Sequence, residues 1–207
     1  RDVTLTANEP IVWGLDVARF GGDNSALCVR QGNTVLEIKS FASMDLMQLC
    51  GVVKNRFDDS TVMERPQEIL VDVIGLGAGV VDRLREQNLP VRGVNVAEAP
   101  STKKNYLNLR AELWFAIKDW LAQRDCRLPN DDELVSELAA PLYKYTSTGK
   151  IKIESKDEMR KRGVKSPDKA DALALTMASS AASFSGSESV FGYNFKKPLK
   201  SRIIRVG

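Results

Sequence analysis

The chain contains no histidine among its 207 residues. Imidazole is the side chain that titrates near neutral pH, so its absence excludes a Ser-His-Asp triad, a Cys-His pair and zinc sites built on histidine. Cysteine is scarce as well, since only Cys28, Cys50 and Cys126 occur, in or beside apolar stretches and without CxxC spacing. We expect these to be reduced core residues of a cytoplasmic protein.

Long apolar runs are also missing, because no stretch approaches the ~18–20 residues that a membrane helix requires, so we expect no membrane partner. The content of 43% hydrophobic and 28% charged residues is typical of a globular domain. The net charge is only +3, so contact with nucleic acid requires a local basic patch. The first residue is Arg1 rather than Met, which favours an excised part of a longer protein.

The first half of the sequence predicts a meander followed by a βαβ unit. Apolar runs at 11–17, 25–30 and 34–40 indicate three antiparallel strands. A helix follows Ser43, its expected N-cap, because apolar residues then recur at helical spacing to Phe57. Strands at 68–74 and 91–96 flank a helix at 80–88, which implies parallel pairing and a right-handed crossover.

The second half predicts helices and one hairpin. The expected elements are a long helix at 104–124, a short helix at 131–140, a hairpin of 143–146 and 150–153, and a helical turn at 157–162. A last helix opens with Ser166 as N-cap and Pro167 at the first position. The order indicates an α/β ribonuclease H-like fold: a mixed five-stranded sheet flanked by helices, with an added β-hairpin. We predict one domain at 1–184 and a flexible, basic C-terminal tail at 185–207.

Three acidic residues fall inside hydrophobic segments. Asp16 ends the first strand, Asp72 ends the first strand of the βαβ unit, and Asp171 lies among small residues of the last helix. Aspartate is rarely buried unless it is paired or bound to metal. In the predicted fold the two strands are adjacent and parallel, so we expect the three carboxylates to meet at one sheet edge.

Converging carboxylates repel one another and raise one another's pKa values unless a cation lies among them. Mg²⁺ or Mn²⁺ suits such oxygen ligands, and a pair of ions supports phosphodiester hydrolysis without histidine. Asp23 reaches the same edge from the turn after Asp16, although a simple Asx turn explains it equally well. Asp168 shares a helical face with Asp171, although it also favours the helix dipole where it stands.

Four segments of the sequence resemble motifs of one protein family. GLDVARFGGDNS at 14–25, VDVIGLGAGVVDRL at 71–84, NLRAELW at 108–114 and KSPDKADALALTMA at 165–178 resemble, in this order, motifs of the large terminase subunit of tailed double-stranded DNA bacteriophages. The similarity covers only the C-terminal nuclease half of that subunit. No GxxxxGK[ST] motif occurs, so the ATPase half is absent and this chain alone should not translocate DNA.

The resemblance implies a metal-dependent endonuclease that cuts concatemeric viral DNA by two-metal phosphodiester hydrolysis. Asp16, Asp72 and Asp171 match the family's metal-binding catalytic acids, and Asp23 matches an additional metal-binding acid of some members. The implied cofactors are two Mg²⁺ or Mn²⁺ ions. The implied partners are double-stranded DNA, the terminase ATPase domain of the full-length chain, the small terminase subunit and the portal protein, in the cytoplasm of the host bacterium.

DNA contact would depend on local positive charge near the acids. Basic residues outnumber acids between 150 and 169, which is typical of a surface that follows phosphates without reading bases, although an ordinary solvated face has the same composition. The candidate DNA-binding residues are Lys150, Lys152, Lys161, Arg162 and Lys165.

Other functions stay open at this point. The closing DKAD pattern is similar to that of RuvC-type resolvases, and the glycine-rich turns imitate the phosphate loops of actin-like phosphotransferases, which need a second lobe. A PD-(D/E)xK nuclease would use Glu37 with Lys39 or Glu154 with Lys156, but the only Pro-Asp pair lies downstream of both. A non-catalytic portal-docking module, with structural acids and a basic tail as the contact, is the alternative that involves no enzyme.

Overall fold

A computed structural model of the chain describes residues 9–18, 23–101 and 104–179. The predicted basic tail at 185–207 lies outside these residues, so its boundary stays a prediction. Among the helices described, none is long and apolar enough to cross a membrane.

The sheet is mixed and has five strands in the order β3-β2-β1-β4-β5. The first three strands pair antiparallel, whereas β4 lies parallel to β1 and β5 lies parallel to β4. This arrangement confirms the predicted meander, the βαβ unit and the fold class. The strands are β1 (Ile11–Asp16), β2 (Ser25–Gln31), β3 (Thr34–Phe41), β4 (Glu68–Asp72) and β5 (Val91–Val94).

Helices cover both faces of this sheet, which is why β1 is buried along its whole length. On one face Trp13 and Leu15 pack with α1 (Leu46–Asp58) and α2 (Gly77–Glu86). On the other face Ala26 and Cys28 belong to a second apolar cluster with α3 (Leu109–Ala122) and α6 (Asp168–Thr176). Burial of a large apolar side chain such as Leu15 contributes about 1.5–3 kcal/mol.

The predicted helix starts are wrong in several places because local caps decide them. Asp45, not Ser43, caps α1 and shares a capping box with Gln48, while Ser43 has a positive φ of 55°. The long helix begins only after Asn108, whose side chain accepts the Ala111 N–H. The predicted Ser166 cap is also wrong, since Pro167 holds that position without a side-chain bond.

The remaining elements lie beside α3 and α6. The predicted hairpin is present as a separate two-stranded sheet, and the predicted helical turn is a short helix that begins with a capping box of Ser155 and Glu158. These elements are α4 (Asp132–Ala139), β6 (Tyr143–Tyr145), β7 (Ile151–Ile153) and α5 (Lys156–Lys161).

Helix α6 lies against the backbone of β1. A Cβ atom on Gly14 would stand 2.0 Å from the carbonyl oxygen of Ala172, so only glycine permits this approach. The small residues of α6 allow the same close packing from the other side. Asp171 is therefore brought next to the strand that ends in Asp16.

Candidate functional site

Two carboxylates lie at one edge of the sheet because β1 and β4 are parallel neighbours. Leu15 pairs with Val71, so the residues that follow, Asp16 and Asp72, leave the two strands at the same carboxyl end. The Asp72 carboxylate also accepts the N–H of Ile74 at 3.0 Å, which fixes its rotamer in the turn. The sheet topology thus gives the juxtaposition that the sequence predicts.

The first turn of α6 adds two more carboxylates. Asp168 and Asp171 are both buried, and Asp168 accepts the backbone N–H of Asn24 at 2.9 Å. Asp16, Asp72 and Asp171 line one cavity of about 310 Å³. The structure therefore brings together the three acids that the sequence singles out, and it places Asp168 beside them.

Lys156, the first residue of α5, contacts three of these four carboxylates. Its Nζ lies 2.8 Å from Asp16 Oδ2, 3.2 Å from Asp168 Oδ1 and 3.6 Å from Asp171 Oδ2. The side chain is 28% exposed, so the ammonium is largely withdrawn from solvent. One cation thus neutralises part of the charge of three converging carboxylates, which burial alone would make unfavourable.

The electrostatics follow from burial and from these contacts. Burial raises the pKa of Asp16 to about 7 even though Lys156 opposes the shift. Burial also favours neutral Lys156, but the three aspartates outweigh it and raise the pKa of the ammonium. For Asp171, Arg110 and then Lys156 outweigh burial and lower the pKa, so this carboxylate is held ionised. Burial raises the pKa of Asp72.

Helix α6 is anchored at both ends by buried or half-buried polar groups. At its start Glu137 of α4 accepts the N–H of Ala170 at 2.9 Å, and Lys169 pairs with Asp131 at 2.7 Å. At its end the buried guanidinium of Arg30 donates to the hydroxyl and the carbonyl oxygen of Thr176, both at 2.8 Å. The position of the two α6 carboxylates is therefore set from outside the site as well as inside it.

Asp23 lies in the turn before β2, where Arg160 Nη2 stands 3.4 Å from its Oδ2. Because Arg160 belongs to α5, the helix that carries Lys156 also contacts the fourth predicted acid. The structure links Asp23 to this region through an ion pair, and its role as a metal ligand stays a prediction.

The predicted DNA-binding residues divide into two groups. Lys152 lies 3.3 Å from Glu158, and Arg162 lies 2.7 Å from Glu154 and donates to the carbonyl oxygen of Ala140. In the part of the chain that the structure describes, the other three have no ion pair, and two of them are exposed. These are Lys150 and the exposed Lys161 and Lys165.

The chemistry of the donor set fits a divalent cation, since carboxylate oxygens are the ligands that Mg²⁺ and Mn²⁺ prefer. Within 9–18, 23–101 and 104–179, however, no three or more His, Cys, Asp or Glu side chains form a ready metal cage. Asp16, Asp168 and Asp171 are arranged around the Lys156 ammonium instead. The carboxylates are suitable ligands for Mg²⁺ or Mn²⁺, and the Lys156 ammonium lies among three of them.

Sequence reasoning missed two further contributors to the site. Arg110 and Trp114 of α3 both bind the Asp171 carboxylate. Their i, i+4 spacing within NLRAELW places them on one helical face, and that was the available signal. The role of Lys156 was also missed, because the sequence suggests it only as one residue of a basic segment and, with Glu154, as part of the PD-(D/E)xK alternative.

Comparison with known proteins supplies structural neighbours only. No protein-family model and no curated protein matches the chain. The nuclease domain of the large terminase subunit gp2 of bacterial virus Sf6 superposes with a TM-score of 0.71 and 22% identity over 82% of this chain and 88% of that one. The chain has the ribonuclease H-like fold of this terminase nuclease domain.

Two further solved structures extend the comparison to metal complexes. A mutant of the Sf6 nuclease domain with manganese and β-thujaplicinol gives a TM-score of 0.72 at 21% identity, over 82% of this chain and 88% of that one. The large terminase nuclease of thermophilic phage G20c with bound magnesium gives 0.59 at 16% identity, over 81% and 80%. The likeness extends over most of both chains, which agrees with a domain of this size.

Proposed function

We propose that this chain is the nuclease domain of a phage large terminase subunit and that it hydrolyses phosphodiester bonds of double-stranded DNA with divalent metal ions. The observation that carries the proposal is the meeting of Asp16, Asp72 and Asp171 from β1, β4 and α6 at one edge of a ribonuclease H-like sheet. Four ordered sequence motifs that resemble terminases and the fold shared with metal-bound terminase nucleases support it.

The residues that would hold the metal are Asp16, Asp72 and Asp171, with Asp23 and Asp168 as additional candidates. Two bound Mg²⁺ or Mn²⁺ ions would supply an activated water and stabilisation of the leaving 3′ oxygen. Lys156 contacts Asp16 and Asp171 oxygens. We infer that the ammonium competes with cations for these oxygens and keeps the acids together before metal arrives.

DNA would approach along α5 and the loop after it. Lys161 and Lys165 are exposed there without an ion pair in the part of the chain the structure describes, so they are free to contact phosphates. In the whole terminase, the partners we propose are the ATPase domain, the small terminase subunit and the portal protein, in the host cytoplasm.

Plasmid cleavage tests the function directly. Supercoiled DNA is incubated with the protein and Mg²⁺, Mn²⁺ or EDTA, using the wild type and Asp16→Asn, Asp72→Asn and Asp171→Asn. We expect metal-dependent nicking and linearisation that each substitution abolishes. Asp82→Asn is the matched control, because Asp82 is an exposed aspartate of α2 that lies 3.9 Å from Arg85, and it should cut like the wild type.

The outcomes separate the alternatives. A wild type that cuts no duplex with either metal, on plasmid or longer substrates, would contradict the proposal and favour a portal-docking module. A strong preference for four-way junctions over duplex DNA would point to a RuvC-like resolvase. Equal cutting by the three site variants would place the activity elsewhere or in a contaminant.

A further inference from the structure

Asp171 receives two donors from α3 in addition to the contact from Lys156. Trp114 Nε1 donates to Oδ1 at 2.8 Å, and Arg110 Nη2 donates to Oδ1 at 3.0 Å and to Oδ2 at 3.2 Å. Trp114 is only 6% exposed, so its bond is shielded from water. A hydrogen bond to a charged group in such surroundings is stronger than one between neutral groups.

The two oxygens of Asp171 therefore differ. Oδ1 accepts hydrogen bonds from both Arg110 and Trp114. Oδ2 accepts the second contact from the Arg110 guanidinium and lies 3.6 Å from the Lys156 ammonium. The carboxylate cannot rotate about its Cβ–Cγ bond without breaking the indole bond and distorting the guanidinium contacts. Oδ2 is thus the oxygen that faces the cation among the acids.

Arg110 is itself fixed by its neighbours. Its Nη1 donates to the carbonyl oxygen of Glu154 at 2.6 Å, and its Cζ lies 5.8 Å from the centre of the Trp114 ring. Glu154 is two residues before Lys156. The same guanidinium therefore connects Asp171 to the backbone that leads into α5.

We propose that Arg110 and Trp114 are positioning residues that occupy Oδ1 of Asp171, so that Asp171 offers Oδ2 alone to a divalent cation. This inference rests on the proposed function, because it assigns the orientation of one of the proposed metal ligands. Neither side chain is required to touch metal or DNA. Both act through Asp171, as partners of metal-binding side chains commonly do.

The test measures Mn²⁺ binding to the protein without DNA, by the electron paramagnetic resonance signal of free Mn²⁺. Trp114→Phe keeps the ring and removes the N–H, and Arg110→Lys keeps the charge but loses the planar fork. We expect each to weaken Mn²⁺ binding about 10-fold, and Arg110→Ala to weaken it further. In plasmid cleavage the half-saturating Mn²⁺ concentration should rise by the same factor, while the rate at saturating metal changes much less.

Trp120→Phe is the matched control. Trp120 lies on the same helix, is 2% exposed, and its Nε1 stands 3.4 Å from Asn33 Oδ1, away from the acids. We expect wild-type Mn²⁺ binding from it. A general effect of losing a buried indole N–H would weaken both tryptophan variants alike and would overturn the proposal.

The remaining outcomes are also decisive. Wild-type Mn²⁺ binding by both Trp114→Phe and Arg110→Lys would overturn the positioning role and leave the nuclease function intact. A wild type that binds no Mn²⁺ would instead refute the proposed function on which the inference rests. If Trp114→Phe does not fold, as judged by its thermal transition, the binding constants of Arg110→Lys and Arg110→Ala decide.

Discussion

Replacing Lys156 by methionine keeps most of the side-chain length and removes the ammonium that contacts Asp16, Asp168 and Asp171. Removal of one partner from a buried ion pair costs about 3–5 kcal/mol. Because Lys156 is 28% exposed, we reduce this to about 2–3 kcal/mol for solvent screening. For a chain of this size, that loss corresponds to a melting temperature lower by ~5–10 °C in EDTA.

The pH dependence has a defined sign. The pKa of Asp16 in the folded protein is about 7, above the ordinary value of 3.8, so its contribution to stability is lost as the pH rises through 7. Without the ammonium this pKa rises further. The destabilisation by Lys156→Met should therefore be larger at pH 8 than at pH 5.5, where Asp16 stays protonated.

Metal should reverse the effect. Mn²⁺ bound at the proposed site would stabilise the folded protein according to its affinity, and without a competing ammonium the variant should gain more degrees from millimolar Mn²⁺ than the wild type. Differential scanning fluorimetry in EDTA and in Mn²⁺ measures both quantities. Lys161→Met is the control, since this lysine of α5 is exposed. Equal melting temperatures for the two variants in EDTA at pH 8 would refute the role assigned to Lys156.

Three further changes test the rest of the structure. Gly14→Ala forces a Cβ to 2.0 Å from Ala172 O, so we expect the free energy of unfolding to fall by more than ~4 kcal/mol, or no folded protein. Gly51→Ala, where a Cβ meets open space in α1, should raise the free energy of unfolding by ~0.5–1 kcal/mol in denaturant titration. Burial raises the pKa of Glu137 to about 7 from 4.5, so the wild type loses stability as the pH rises between these values. Glutamine does not titrate, so the melting temperature of Glu137→Gln relative to the wild type should rise by ~2–4 °C from pH 4.5 to 8. A difference that stays constant with pH would contradict this. The double variant Lys161→Gln, Lys165→Gln should bind duplex DNA more weakly and reduce the slope of the log association constant against log salt concentration by about 2. Lys54→Gln is the control, because Lys54 pairs with Asp58, and it should leave the slope unchanged. An unchanged slope for the double variant would exclude Lys161 and Lys165 from the DNA contact.

The sheet was predictable because its signals are long and consistent. Apolar runs that end at Asp16 and Asp72 identify both strands, and the order of elements, typical of a ribonuclease H-like sheet, predicts that they are parallel neighbours. Helix starts were less predictable, since several polar residues near each start are competent caps. Ser43 and Asp45 both suit a cap by type, and only the backbone geometry selects Asp45.

The acids of the site were predictable for a different reason, since a carboxylate inside an apolar segment is unfavourable without a partner. The partners themselves were not. Lys156, Arg110 and Trp114 approach Asp171 from α5 and α3, which the sequence separates from it by up to 61 residues. Local patterns carry no information about such long-range contacts. For the same reason the bond from the Asn24 N–H to Asp168 was not predictable.

The two walls of the cleft differ in how far their supporting contacts are exposed to solvent. The α6 wall rests on Arg30 and on backbone contact at Gly14, both buried. The opposite wall, formed by the hairpin and α5, is held inside the cleft by Lys156 and at the surface by exposed ion pairs, such as Lys144 with Glu158. Salt screens exposed pairs far more than buried ones. Ionic strength therefore acts mainly on the outer side of the hairpin and α5, where a polyanion such as DNA would compete with Glu158 for Lys144 and Lys152.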